Sequence, residues 1–151
     1  MPLDAGAPAP EVTAPNQDGE VVSPSTDGPT VVYFYPRDDT PGCTTEANQF
    51  QAEIDSYRDA GVAVYGVSTD SVDSHRDFCN AQGLEFDLLA DPEATVADAF
   101  DVDANSGAAP RTTFVLLDGD VWRVYDSVSP DGHARAVLAD LLDAGVVELS
   151  E

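Results

Sequence analysis

Lysine is missing from this sequence altogether. Its only basic side chains are six arginines, at positions 37, 58, 76, 111, 123 and 135, set against 29 acidic residues. A formal charge of −23 leaves no basic footprint, which excludes nucleic acid and anionic membrane surfaces as partners. No apolar run approaches the roughly 20 residues of a membrane span. Met1-Pro2-Leu3-Asp4 lacks the basic and apolar regions of a secretion signal, so a cytoplasmic protein is expected. There is no G-x-S-x-G elbow and no glycine-rich phosphate loop. Potential metal ligands are few. His75-x-x-x-Cys79 has i,i+4 ligand spacing and His133 stands elsewhere, too sparse a set for zinc. We expect no metal and no cofactor, and we read both histidines as surface residues.

Cysteine is scarce as well: only Cys43 and Cys79. In a reducing compartment two thiols are catalytic, redox-active or buried and inert, rather than a permanent staple. What is present is an ordinary share of hydrophobic residues, 42%, spread in regular segments, so the acidic chain should fold. A length of 151 residues fits one domain, 1–151. The acid is then a solvated surface suited to a salt-rich cytoplasm, where screening relieves self-repulsion; the same repulsion favours a monomer.

The segments have a readable order. Val12 to Val22 holds the turn Asn16-Gln17-Asp18-Gly19 between two extended pieces, an N-terminal hairpin. Thr30 to Tyr35 (TVVYFY) is a continuous β-branched and aromatic run, a buried central strand. Beyond Gly42 a helical pattern places Ala47, Phe50, Ile54 and Tyr57 on one face and stops at Gly61. Val62 to Ser68 is a second strand, and Ser71 to Ala81 a helix capped by Ser71 and ended by Gly83. Phe86 to Ala90 is a short strand and Pro92 to Phe100 a short helix. Thr112 to Leu117 and Val121 to Tyr125 flank Asp118-Gly119, a hairpin signal. Asp131 to Ala144 closes the chain as a helix, with Val137, Leu138, Leu141 and Leu142 inward. Early alternation implies parallel strands with crossover helices, and the late hairpin adds antiparallel strands. The expectation is an α/β fold: a thioredoxin-like mixed sheet flanked by helices.

One junction concentrates chemistry. Pro36-Arg37-Asp38-Asp39-Thr40-Pro41-Gly42-Cys43 joins the central strand to a helix. Thr40 is a natural N-cap and Pro41 a natural first helical residue, which places Cys43 in the first turn. Unpaired amides and the positive end of the helix dipole favour a thiolate there. Asp38 and Asp39 oppose it, so a nearby cation is needed. Arg111, opening the strand that follows it, is the candidate, with Arg37 as the spare. A buried filler cysteine is the bland alternative, but such residues usually sit within an element. Disulfide exchange at a C-x-x-C motif is excluded, because Thr40 stands where its first cysteine would be.

These residues carry a resemblance. Pro36-x-x-x-Thr40-x-x-Cys43 resembles the active-site signature of the peroxiredoxins. The wider stretch Tyr33 to Glu46 (YFYPRDDTPGCTTE) is similar to their peroxiredoxin Q, or bacterioferritin comigratory protein, branch. The similarity continues through Gly66-Val67-Ser68-Thr69-Asp70, Leu89-Ala90-Asp91 and Arg111-Thr112-Thr113-Phe114, and so covers nearly the whole chain. It implies a peroxidase in which Cys43 attacks a hydroperoxide and becomes a sulfenic acid. Thr40 would hydrogen-bond the peroxide, Pro36 would shelter the sulfur, and Arg111 would stabilise thiolate and transition state. A thioredoxin- or glutaredoxin-like reductant would recycle the enzyme.

Many members of that branch place a resolving cysteine five residues after the first, where this chain has Asn48. Cys79, 36 residues on, is the remaining thiol, and some members carry a resolving cysteine in that helix. An intramolecular Cys43–Cys79 disulfide is therefore the implied second step. Its loop would contribute about 3.8 kcal/mol by chain entropy. Forming it should require the first turn of the Cys43 helix to unwind, since bridged Cα atoms lie within ~7 Å. Val72, His75 and Cys79 share one face of their helix, with Phe78 to the side. If Cys79 is simply core, the chain is a one-cysteine peroxidase resolved by an external thiol. A non-enzymatic redox sensor using the same cysteine is the remaining alternative.

Overall fold

The computed structural model describes residues 3–38, 40–104, 109–126, 128–129 and 131–147. Asp39, read above as opposing a thiolate, lies outside the described residues, as do Met1 and Pro2. The N-terminal hairpin forms as two short antiparallel strands, β1 (Ala14–Pro15) and β2 (Val21–Val22). Asn16 builds its turn by accepting from the amides of Asp18 and Glu20.

The main sheet has the order β5-β4-β3-β6-β7. At its centre is β3 (Thr30–Phe34), buried at every residue. It runs parallel to β4 (Ala63–Ser68) and antiparallel to β6 (Thr112–Leu117). β5 (Asp87–Ala90) lies parallel beyond β4, and β7 (Asp120–Tyr125) antiparallel beyond β6. The two-residue period of the strand divides the core. Val31, Tyr33 and Tyr35 join the cluster that holds Phe50, Tyr57, Phe78, Val137 and Leu141. Val32 and Phe34 join Val96, Phe100 and Phe114 in the other cluster. Burial on both sides explains why β3 reads as an unbroken apolar run. Asp118 and Gly119, both at positive φ, make the expected β6–β7 turn.

The helices follow their signals with one break. The helix after Gly42 divides at Glu53 into α1 (Pro41–Ala52) and α2 (Ile54–Asp59), where φ −99° and ψ 4° leave the helical region. The Ala47, Phe50, Ile54 and Tyr57 face is buried across the break, so the apolar pattern outlasts the hydrogen-bond ladder. α3 (Val72–Gln82) has the predicted Ser71 cap, whose side chain accepts from the Ser74 amide, and ends at left-handed Gly83. α4 (Thr95–Ala99) is shorter than expected; Asp91 accepts from the Val96 and Ala97 amides at its start. α5 (His133–Asp143) buries Val137, Leu138 and Leu141, while Leu142 stays half-buried.

Three expectations need correction. His75 is fully buried, at 0% exposure, and His133 is buried too; neither lies on the surface. Each ring is drawn inward by a partner that only the fold supplies: Leu89 O and Asp38 for His75, Thr113 Oγ1 for His133. Phe78 packs inward beside Cys79, because an apolar stripe on a helix is wider than one row of side chains.

Candidate active site

Sheet register assembles the site. Phe34, the last residue of β3, pairs with Thr112 on one side and Val67 on the other. The residues just past that row therefore converge: Tyr35 from β3, Arg111 before β6, and Ser68 at the end of β4. From here the chain turns into α1, with Pro41 at its first position and Cys43 at its third. Thr44 N donates to Thr40 O at 2.8 Å, the first backbone bond of the helix. The Gly42 and Cys43 amides precede it and leave positive partial charge beside the sulfur.

Cys43 is 1% exposed. Arg111 Nη2 donates to its Sγ at 3.3 Å, and Arg111 Nη1 donates to Glu46 Oε1 at 3.0 Å. One planar guanidinium thus spans a thiol and a buried carboxylate. Arg37, the spare cation, is exposed. Glu46 is itself 1% exposed, three residues beyond Cys43 and so on the same face of α1. Burial pushes its carboxyl up to about 7, and the Arg111 charge and hydrogen bond hold it from going higher. Among the described residues Glu46 Oε2 has no hydrogen-bond partner, and neither do the buried hydroxyls of Tyr33 and Thr112. Sequence reasoning passed over Glu46. Its i+3 spacing from Cys43, inside the quoted motif, was the available signal.

Thr40 sits at the N-cap position in extended geometry, but its side chain makes no cap bond. Its hydroxyl instead donates to Arg37 O at 3.1 Å. That corrects the side-chain cap, and it leaves the oxygen's lone pairs available to accept. Pro36, half-buried, opens the same turn.

Asp38 has partners away from α1. Its Oδ1 accepts from Tyr35 Oη at 2.6 Å, and its Oδ2 accepts from Ser74 Oγ at 2.8 Å and meets His75 Nδ1 at 2.7 Å. Its amide donates to Asp70 Oδ2 at 2.7 Å, and Ser68 Oγ donates to the same oxygen. The carboxylate expected to oppose a thiolate is thus held in a network of its own.

Cys79 lies one turn beyond His75 on α3, buried in the same core cluster as Cys43. The two are not bonded to each other. Burial, then the charges of Asp38, Asp87 and Asp18, pushes the Cys79 thiol up to about 12. In this conformation it is a neutral thiol.

Comparison with known proteins places this geometry. The profile of the AhpC/TSA family matches residues 5–122. Peroxiredoxin Bcp of Xanthomonas campestris is 43% identical over 119 residues, spanning 74% of either chain. A protein of Coxiella burnetii described as a peroxiredoxin bcp is 37% identical, over 93% of this chain and 100% of its own. Among solved structures, peroxidoxin BcpB of Mycobacterium tuberculosis superposes with a TM-score of 0.86 at 34% identity, covering 93% of this chain and 97% of its own. A peroxiredoxin Q structure from Xanthomonas campestris gives 0.83 at 36%, covering 93% and 98%. Another structure of the Xanthomonas campestris bacterioferritin comigratory protein is described in terms of alkyl peroxide reduction. With a thiol–arginine pair at the start of α1 and relatives of this kind along nearly its full length, the chain belongs to the AhpC/TSA family, in its peroxiredoxin Q/Bcp branch.

Proposed function

We propose that this chain is a thiol peroxidase that reduces hydrogen peroxide and organic hydroperoxides, with Cys43 as the attacking residue. The observation that carries it is the Arg111 Nη2 to Cys43 Sγ contact at a helix start. The thiolate attacks one peroxide oxygen and the O–O bond breaks. Sulfur is oxidised to the sulfenic acid, and the departing alkoxide or hydroxide takes up a proton as alcohol or water. Arg111 stabilises charge on sulfur and on the oxygens as the bond breaks. The Thr40 oxygen, its own proton engaged by Arg37 O, accepts a hydrogen bond from the peroxide. Pro36 screens the site from water.

In the second step Cys79 attacks the sulfenic sulfur, expelling water and leaving a Cys43–Cys79 disulfide. A thioredoxin- or glutaredoxin-like dithiol then reduces it. Both cysteines lie in one core cluster, which supports the pairing. The neutral, buried Cys79 thiol means that this step follows a local opening that restores its ionisation. The same burial favours a second reading, a one-cysteine enzyme resolved by an external thiol. The charge of −23 and the absence of lysine support a monomer working in a salt-rich cytoplasm.

The test is stopped-flow peroxide consumption by the parent, Cys43→Ser and Cys79→Ser, with mass spectrometry of the oxidised protein. Cys43→Ser should be inactive. The parent should lose both free thiols as an intramolecular disulfide. Persisting Cys43 sulfenic acid beside a free Cys79 would select the one-cysteine reading, and an active Cys43→Ser would overturn both.

A further inference from the structure

The Asp38 network engages both carboxylate oxygens, and it joins the turn after β3 to a stretch 32 to 37 positions further on, from the end of β4 into α3. Asp38 belongs to the turn that carries Pro36 and Thr40. Ser74 and His75 belong to the first turns of α3, and Ser68 and Asp70 to the end of β4. The pair at its centre is dry: the His75 side chain is 0% exposed and that of Asp38 2%. Both ring nitrogens are engaged. Nε2 donates to Leu89 O at 2.9 Å, which fixes His75 against β5, and Nδ1 meets Asp38 at 2.7 Å with Tyr35 Oη beside it at 3.4 Å. Buried polar pairs of this kind contribute little net stability, but they hold one geometry, because breaking them strands a polar group in the core.

The geometry held is that of the reaction. On one side of the pair, the Asp38 turn leads through Thr40 into α1 and Cys43. On the other, α3 carries Cys79 four residues after His75. We propose that Asp38 and His75 are positioning residues that clamp the Thr40 turn onto α3. The clamp keeps Thr40 and Cys43 in the peroxide-reactive arrangement and must release before Cys43 can reach Cys79. The first half rests on Cys43 as the attacking residue and the second on Cys79 as the resolving one. The clamp therefore acts with opposite sign on the two steps. It speeds peroxide attack and slows disulfide closure, lengthening the life of the sulfenic acid and its exposure to a second peroxide.

The experiment separates the steps. Peroxide attack is followed in a Cys79→Ser background, where only Cys43 can react, and disulfide closure in the parent background. Asp38→Asn and His75→Gln keep approximate shape and remove the pair. Each is expected to slow attack about tenfold, the scale of one charge-assisted hydrogen bond. The double variant should be no slower than the slower single one, since both remove the same contact. Closure should be faster than in the parent, unchanged closure overturning that half of the proposal, and more peroxide should be needed to over-oxidise Cys43. Ser74→Ala removes one hydrogen bond from an uncharged donor to Asp38 and leaves the His75 contact in place; it should shift both steps in the same directions by about threefold, and it decides the matter if the other variants fail to fold. Attack within twofold of the parent would overturn the proposal. So would a double-variant loss equal to the product of the singles, or both steps slowing together with a lower melting temperature. Absence of any disulfide in the parent would remove Cys79 as resolving residue, yet attack in the Cys79→Ser background would still decide the clamp.

Discussion

Replacing Arg111 with Met tests the site most sharply, because this side chain has two separable duties. The first is kinetic. Nη2 stands 3.3 Å from Cys43 Sγ. Removing a donor aimed at charge that develops in the transition state lowers rates by about 10²–10³. The second-order rate constant with peroxide should fall about a hundredfold. The second duty is electrostatic. Glu46 is 1% exposed, and with Arg111 beside it burial still pushes its carboxyl from 4.5 up to about 7. A folded-state value above the unfolded one means that this group's contribution to stability is intact at low pH and lost as pH rises. In the parent the loss accumulates between pH 4.5 and about 7 and then stops, because Glu46 ionises against Arg111. Its size is about 3 kcal/mol, from about 1.4 kcal/mol per pH unit. Without Arg111 the carboxyl stays protonated at higher pH, and the loss continues by about 1.4 kcal/mol per unit above neutrality. The stability difference between parent and variant should be flat below neutrality and widen above it. Denaturant melts at about pH 5.5 and about pH 8.5, beside stopped-flow peroxide consumption, read both effects. A stability difference equal at the two pH values would refute the electrostatic argument. A rate within about threefold of the parent would refute the kinetic one.

Three further outcomes are expected. Glu46→Gln keeps an acceptor for Arg111 but cannot titrate, so the parent's fall in stability between pH 4.5 and about 7 should be largely absent in denaturant melts. Tyr33→Phe removes a buried hydroxyl that has no partner among the described residues, so the melting temperature should hold or rise, by up to about 1 kcal/mol in stability. Gly66→Ala would place a Cβ 2.7 Å from Leu88 Cδ2 and 2.9 Å from Tyr33 Cζ and Oη, and should cost about 1–3 kcal/mol by thermal unfolding. Combining it with Tyr33→Phe should recover part of that loss, since one of the clashing atoms is then gone.

The elements were legible where their causes are local. The β3 run, the Asp118-Gly119 turn and the Ser71 and Gly83 ends of α3 each depend on residues within a few positions, and each formed as read. The break at Glu53 was not legible, because apolar spacing continues through it while the backbone bonds do not. Arg111 was reachable because cations are few: among six arginines, only one opens a strand that pairs with β3. The Asp38–His75 pair spans 37 positions between residues with no apolar or turn signature, and a histidine on an acidic helix looks like a solvated one. The Thr40 cap failed for a related reason. Cap preference is a local statistic, and the hydroxyl here is oriented to donate to the Arg37 carbonyl rather than to accept from the amides of α1.

The site stands where it does because of the mixed sheet, and not only because of the cysteine motif. β3 is the strand at which pairing changes from parallel to antiparallel. On its parallel side, β4 ends level with it and hands the chain to α3, so Ser68, Asp70, Ser74 and His75 gather beside Tyr35. On its antiparallel side, β6 begins at that level, so the residue before it, Arg111, arrives at the same rim from the opposite direction. A parallel neighbour there would bring the end of a strand and the start of another helix; an antiparallel one brings the entry to a strand and a side chain that reaches across the start of α1. Ligand sites collect outside the carboxyl ends of strands where strand order reverses. In this chain the reversal supplies the guanidinium to one side of Cys43 and a buried polar anchor to the other. Moving Arg111 one residue along β6 would turn it to the opposite face of the sheet. Register between β3 and β6 therefore fixes the thiol–arginine contact as firmly as the choice of residues does.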